Sequence, residues 1–201
     1  MFDHLLRGTK DRLLAPLAAL LRDVQPNMLS IMALLLGLAA AVAAAGGRWR
    51  VGVVLWLANR VVDGLDGSVA RLAGTQTDFG GYFDILLDFV VYAAIPLGFA
   101  VHSVDRGVLV MAVLLEGAFF VNACSWMYLA AVLEKRASGA GASGELTTVT
   151  MPPALISGFE TIVFFTLFFL FPDRLVTLFA LMSALVGINV IQRLVWARKV
   201  L

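Results

Sequence analysis

Asp63, Asp66, Asp84 and Asp88 stand close together in a chain that is otherwise oily. Asp63, Asp66, Gly67 and Ala70 fall at i, i+3, i+4 and i+7, one face of a helix. Asp84 and Asp88 are i, i+4 and share a face of what should be the next helix. Two helices joined by a short loop can therefore aim four carboxylates at one point. Like charges gathered in this way push protons back onto one another unless cations compensate them. Hard divalent cations take oxygen ligands, and a pair of them ~3.5–4 Å apart clamps phosphoryl oxygens during a displacement. Gly67 and Ala70 leave room for a substrate beside the helix backbone, with close helix packing as the plain alternative. Arg71 suits a phosphate, or simple interfacial anchoring. A carboxylate with one side free of metal can also take the proton of an incoming hydroxyl, as general base. The residues describe metal-dependent, phosphoryl-type transfer at a membrane surface.

The rest of the chain must position that cluster. Its 201 residues suit one domain, residues 1–201. With 61% hydrophobic residues, 14% charged residues and a mean hydropathy of +0.92, it reads as an integral membrane protein. A formal net charge of +1 excludes nucleic-acid binding through bulk basicity. Cys124, the single cysteine, allows no intrachain disulfide and is expected to be a small buried hydrophobe. Asp3, Arg7, Lys10, Asp11 and Arg12 interrupt the first residues, so no cleavable signal peptide is expected.

Residues 1–24 mix leucines with Arg7, Lys10, Arg12 and Arg22, a pattern that predicts an amphipathic interfacial helix. Six transmembrane helices follow within 28–196, at about 28–46, 51–72, 79–101, 107–133, 152–172 and 174–196. A Gly/Ser/Ala-rich loop falls at 137–144, and Pro152-Pro153 precede the fifth span. Period-two alternation is absent, so the expected fold is an all-α bundle rather than a barrel. Basic residues gather on the side that holds Arg71, Lys135, Arg136, Arg193, Arg198 and Lys199. That side is expected to be cytoplasmic, and the carboxylates open towards it.

The run Asp63-x-x-Asp66-Gly67-x-x-Ala70-Arg71-x8-Gly80-x3-Asp84-x3-Asp88 resembles the signature of the CDP-alcohol phosphotransferase (CDP-alcohol phosphatidyltransferase) family, class I, at all eight positions. Pro26-Asn27-x-x-Ser30 resembles the family's approach to the first span. The resemblance implies that Asp63 and Asp84 bridge two divalent ions, Mg²⁺ or Mn²⁺. Asp66 would complete the first metal site and Asp88 the second, with Asp88 also the general base. Asn27, Ser30, Gly67, Ala70, Arg71, Thr77 and Gly80 would form the site of the CDP moiety. An acceptor hydroxyl would attack the β-phosphorus of a CDP-linked donor and release CMP. A homodimer is the implied assembly. Ile85 and Ser30 depart from the commoner small polar residue and threonine, and neither removes a metal ligand.

The expected reaction moves a phosphatidyl group from CDP-diacylglycerol to a small hydroxyl acceptor, in phospholipid synthesis. The reverse arrangement gives a CDP-linked polar headgroup to a lipid alcohol. Arg60, Lys135 and Arg136 are candidate ligands of an acceptor phosphate, or interfacial anchors. Glu160 is a candidate for a polar or amine-bearing acceptor, or for a helix–helix hydrogen bond. A divalent-cation transporter and a purely structural cluster compete less well. The first needs polar residues through several helices, and the second gives no role to Gly67, Ala70, Arg71 and Gly80. The composition suggests a bacterial plasma (inner) membrane.

Overall fold

A computed structural model describes residues 14–136 and 156–201. Residues 1–13 of the helix predicted over 1–24, the 137–144 loop and Pro152-Pro153 lie outside the described residues. Every regular element among the described residues is helical. In chain order these are α1 (residues 14–20), α2 (Pro26–Ala45), α3 (Trp49–Ala73), α4 (Asp78–His102), α5 (Arg106–Lys135), α6 (Gly158–Leu170) and α7 (Leu175–Val200). A 3₁₀ turn, Pro172–Arg174, leads into α7.

The helix ends follow from local chemistry. Pro26 opens α2, where its missing N–H is no loss. Gly74 closes α3 in the left-handed conformation at φ +65°, which an L side chain would resist. The Thr77 side chain then accepts the Gly80 N–H at 3.0 Å and caps α4. The Asp105 carboxylate does the same for α5 by accepting the Gly107 N–H at 2.7 Å.

Helices α2–α7 fall where the six spans are expected, but among the described residues four helices are long and apolar enough to cross a membrane. They are Pro26–Ala45, Asp78–His102, Arg106–Lys135 and the continuous Pro172–Val200. Helix α3 has the length but carries Arg50, Arg60, Asp63, Asp66 and Arg71. Helix α6 has 13 residues, ~20 Å at 1.5 Å per residue and short of a ~30 Å hydrocarbon core. The outer surface is apolar, with Val42, Val101, Val113, Phe120 and Leu194 all exposed. Cys124 is exposed as well, not buried as expected, because an apolar face of α5 can point outward in such a bundle.

Helix α2 packs most extensively against α3 and α4, and α5 packs against α7. Glycines permit the α2–α4 approach. A Cβ built on Gly98 would lie 2.4 Å from the Ala41 carbonyl oxygen. The larger core gathers Trp56, Ile95, Phe99, Phe165, Phe168, Phe179 and Met182, all fully buried. Trp56 stacks on Phe165 with centroids 5.0 Å apart, and Phe168 meets Phe179 edge-on at 4.7 Å. A second, smaller cluster joins Ala18 of α1 to Leu29, Leu65 and Val69. Along α3, Asn59, Arg60 and Asp63 lie between Trp56 of one cluster and Leu65 and Val69 of the other, and Asp66 lies between the last two. Packing on both sides fixes α3, and with it the register of the aspartates.

Candidate active site

The C-terminal half of α3 and the N-terminal half of α4 bring the four aspartates together. Asp63 has Asp88, Asp84 and Asp66 as electrostatic neighbours, and Asp84 has Asp66 and Asp88. The Asp84 and Asp66 carboxyl groups lie within hydrogen-bonding reach of each other. Several of the carboxylate oxygens have side-chain or backbone partners. The Ser30 hydroxyl donates to Asp66 Oδ2 at 2.6 Å, from α2 across to α3. The Gly67 N–H donates to Asp66 Oδ1 at 2.5 Å. Arg60 pairs with both Asp63, 3.5 Å from Nη1 to Oδ2, and Asp88, 2.7 Å from Nη2 to Oδ1.

Arg60 is the deepest cation of the site, its side chain 8% exposed. Its Nε donates to Asn59 Oδ1 at 2.6 Å and its Nη1 to the Tyr92 hydroxyl at 3.0 Å. The guanidinium also lies over the Trp56 ring, 4.7 Å from the centroid. A buried charge must be paired and hydrogen-bonded to be tolerated, and this one is.

The positions expected to meet a CDP moiety gather around the open end of the same site. Gly67 is flanked by Arg71, whose Nη1 would stand 3.1 Å from a Cβ added there. Arg71 is exposed, and its Nη2 donates to Ser68 Oγ at 3.2 Å. Ala70 lies on the same face, partly exposed. Gly80 sits beside Asn27, whose Oδ1 would be 3.6 Å from an added Cβ, so the start of α2 meets the start of α4. Thr77 is exposed and caps α4. The remaining acceptor candidates lie on other helices. Lys135 and Arg136 are exposed at the end of α5, with Arg136 donating to the Leu201 carbonyl at 2.6 Å. Glu160 Oε2 accepts from the Ser157 N–H at 3.0 Å and the Ser157 hydroxyl at 2.5 Å, closing the first turn of α6.

Tyr92, Asn59 and Trp56 did not stand out in the sequence, although two signals were available. Tyr92 is i+4 from Asp88 on one helix face, and Trp56 is i−4 from Arg60. Arg193, read from sequence as a flanking charge, is 5% exposed. Its Nη1 donates to the Asn122 side chain at 3.0 Å and to Ser125 Oγ, joining α7 to α5.

The donor set suits hard divalent cations: four carboxylates from facing helices, close enough for two of them to share a hydrogen bond. Among the described residues, no three acidic, histidine or cysteine side chains stand as a ready cation shell. Oxygens of Asp63 and Asp88 face Arg60, and one of Asp66 faces Ser30.

An apolar-surfaced helical bundle that carries this acidic cluster is what the resemblance of the sequence to CDP-alcohol phosphotransferases leads one to expect. The comparisons with known proteins agree. Residues 23–191 match the family model for CDP-alcohol phosphatidyltransferase, and the chain belongs to that family. It is a transferase of phospholipid synthesis. It is 34% identical over 149 residues to the inner membrane protein YnjF of Escherichia coli K12, covering 74% of this chain and 71% of that one. A 71-residue stretch is 35% identical to the CDP-diacylglycerol–serine O-phosphatidyltransferase of Helicobacter pylori J99, covering 35% of this chain and 30% of that one. The fold resembles the crystal structure of Mycobacterium tuberculosis phosphatidylinositol phosphate synthase with CDP-DAG bound. The TM-score is 0.73 at 22% identity, over 92% of this chain and 94% of that one.

Proposed function

We propose that the protein transfers the phosphatidyl group of CDP-diacylglycerol to a small hydroxyl acceptor and releases CMP. The convergence of Asp63, Asp66, Asp84 and Asp88, in a chain of this family, carries the reading. The acceptor oxygen forms a new bond to the β-phosphorus as the bond from that phosphorus to CMP breaks. The acceptor proton passes to Asp88, and CMP leaves with the bonding electron pair.

Asp63, Asp66, Asp84 and Asp88 would together hold the divalent ions, Mg²⁺ or Mn²⁺. Bound there, the ions would supply positive charge to the phosphoryl oxygens and to the leaving group. Ser30 holds one oxygen of Asp66, which orients that ligand. Gly67 and Ala70 keep the α3 face low beside the phosphates, and Arg71, at its exposed end, pairs with one of them. Asn27, Thr77 and Gly80 form the opposite wall where α2 and α4 begin. Lys135 and Arg136 suit a phosphate on the acceptor, and Glu160 an amine.

The cluster faces the cytoplasm in this reading, supported by the basic residues on its side of the sequence. A bacterial inner membrane is the proposed location, in keeping with the Escherichia coli relative. The proposed arrangement is six spans, an N-terminal interfacial helix and a homodimer. A CDP-linked polar headgroup given to a lipid alcohol uses the same residues and is the second reading.

Mass spectrometry of the lipid product decides between them. Purified protein is incubated with CDP-diacylglycerol and Mn²⁺ against serine, glycerol 3-phosphate, inositol, inositol phosphate and glycerol. A phosphatidyl product with one acceptor is expected. No product from this panel, with turnover of CDP-ethanolamine and diacylglycerol instead, would overturn the first reading in favour of the second.

A further inference from the structure

Both oxygens of Asp88 are held by side chains outside the family signature. Arg60 Nη2 donates to Oδ1 at 2.7 Å and the Tyr92 hydroxyl donates to Oδ2 at 3.2 Å. Arg60 Nη1 in turn donates to the Tyr92 oxygen at 3.0 Å, closing a ring of three hydrogen bonds. The ring is anchored from behind. Arg60 Nε donates to Asn59 Oδ1, and Asn59 Nδ2 donates to the Ala33 carbonyl on α2, each at 2.6 Å. Trp56 and Tyr92 cover the guanidinium at 4.7 and 5.4 Å to their ring centroids.

This arrangement is built to fix a carboxylate rather than to receive a ligand. All three guanidinium nitrogens already have partners, and the side chain is 8% exposed. A phosphate ligand needs donors presented as a fork towards the open site. Asp88 keeps acceptor capacity, because an ionised carboxylate has about four lone-pair sites and the ring uses two. We infer that Arg60 and Tyr92 are positioning residues, which lock the Asp88 rotamer and leave its remaining lone pairs to the reacting groups. The inference rests on Asp88 acting as ligand and base in the proposed reaction. It places Arg60 behind the base, not in contact with the acceptor.

The test uses three variants of the full chain: Tyr92→Phe, which removes one oxygen atom, Arg60→Lys, which keeps the charge, and Arg60→Met. Steady-state transfer, Mn²⁺ binding by electron paramagnetic resonance and thermal unfolding are measured on each. Outer-shell partners of metal ligands typically contribute ~10–100-fold to metal affinity or activity. A loss of that order in kcat is therefore expected for Tyr92→Phe, with the acceptor KM within ~2-fold and Mn²⁺ bound more weakly. Arg60→Lys should recover part of the loss seen in Arg60→Met.

A raised acceptor KM at unchanged kcat in the Arg60 variants would overturn the inference and make Arg60 an acceptor contact. Lower thermal stability in Tyr92→Phe with kcat and Mn²⁺ binding unchanged would overturn it as well, leaving a purely structural ring. The reading beneath it can fail separately. A wild-type protein that transfers nothing from CDP-diacylglycerol, while Tyr92→Phe still weakens Mn²⁺ binding, would remove the reaction and keep the positioning.

Discussion

The Ser30 hydroxyl donates to Asp66 Oδ2 at 2.6 Å, joining positions 36 residues apart in sequence. One atom of α2 thereby decides how a carboxylate of α3 is turned. Ser30 itself is buried at 5% exposure, so the bond is not exchanged for water. Substituting Ser30→Ala removes that hydrogen bond and is expected to weaken Mn²⁺ binding by ~10-fold or more. Ser30→Thr, which keeps the hydroxyl, should bind Mn²⁺ like the wild type. Titration followed by electron paramagnetic resonance checks both, and equal affinity in Ser30→Ala would detach Ser30 from the site.

Asp88→Asn keeps the shape of the side chain and still accepts a hydrogen bond, but cannot take a proton at neutral pH. General-base catalysis contributes ~10²–10⁴-fold, so kcat should fall by that order. Binding of CDP-diacylglycerol, measured by native mass spectrometry, should persist. Near wild-type turnover would remove Asp88 from the base role.

Arg71 lies beside Gly67 at the exposed end of α3, where its Nη2 donates to Ser68 Oγ at 3.2 Å. From that exposed position its guanidinium can reach a phosphate. A hydrogen bond to a charged group contributes ~1.5–3 kcal/mol, which corresponds to a ~10–100-fold rise in the KM for CDP-diacylglycerol in Arg71→Ala. An unchanged donor KM would return Arg71 to the role of an interfacial anchor.

Away from the chemistry, the α2–α4 crossing has its own weak point at Gly98. The atom nearest an added Cβ is a backbone oxygen, Ala41 O, which cannot swing aside as a side chain would. Overpacking of this kind costs ~1–3 kcal/mol, and Gly98→Ala is expected to lower the unfolding temperature in detergent accordingly. Retained stability would show that α2 and α4 can slide apart at this level.

How much of this was legible in the sequence depended on distance along the chain. Asp63, Asp66, Asp84 and Asp88 were readable because helix periodicity alone places them on two faces. The helices themselves were readable from apolar runs, and the observed ends of α2–α5 fall within a few residues of the expected ones, whereas α6 starts only at Gly158, later than the span expected from about 152. Helix α3 was harder to grade as a span, because the residues that make the site also make the helix polar. Contacts across helices were not legible. Arg60 was conspicuous as a charge in an apolar run, yet its pairing with Asp88 depends on how α3 and α4 turn towards each other. Arg193 likewise looked like a flanking charge, and only the packing of α7 on α5 buries it against Asn122. Cys124 was misjudged for the converse reason. In a bundle with an apolar exterior, a small hydrophobe has no compulsion to face inward.

The central claim is that the aspartates use divalent ions to transfer a phosphatidyl group, and CMP release is its most direct measure. Wild-type protein and Asp63→Ala are assayed with CDP-diacylglycerol and the acceptor panel, with Mn²⁺ and with excess EDTA. The account predicts acceptor-dependent CMP release from the wild type in Mn²⁺, and none from the wild type in EDTA or from Asp63→Ala. Equal CMP release from Asp63→Ala, or release that persists in EDTA, would contradict it.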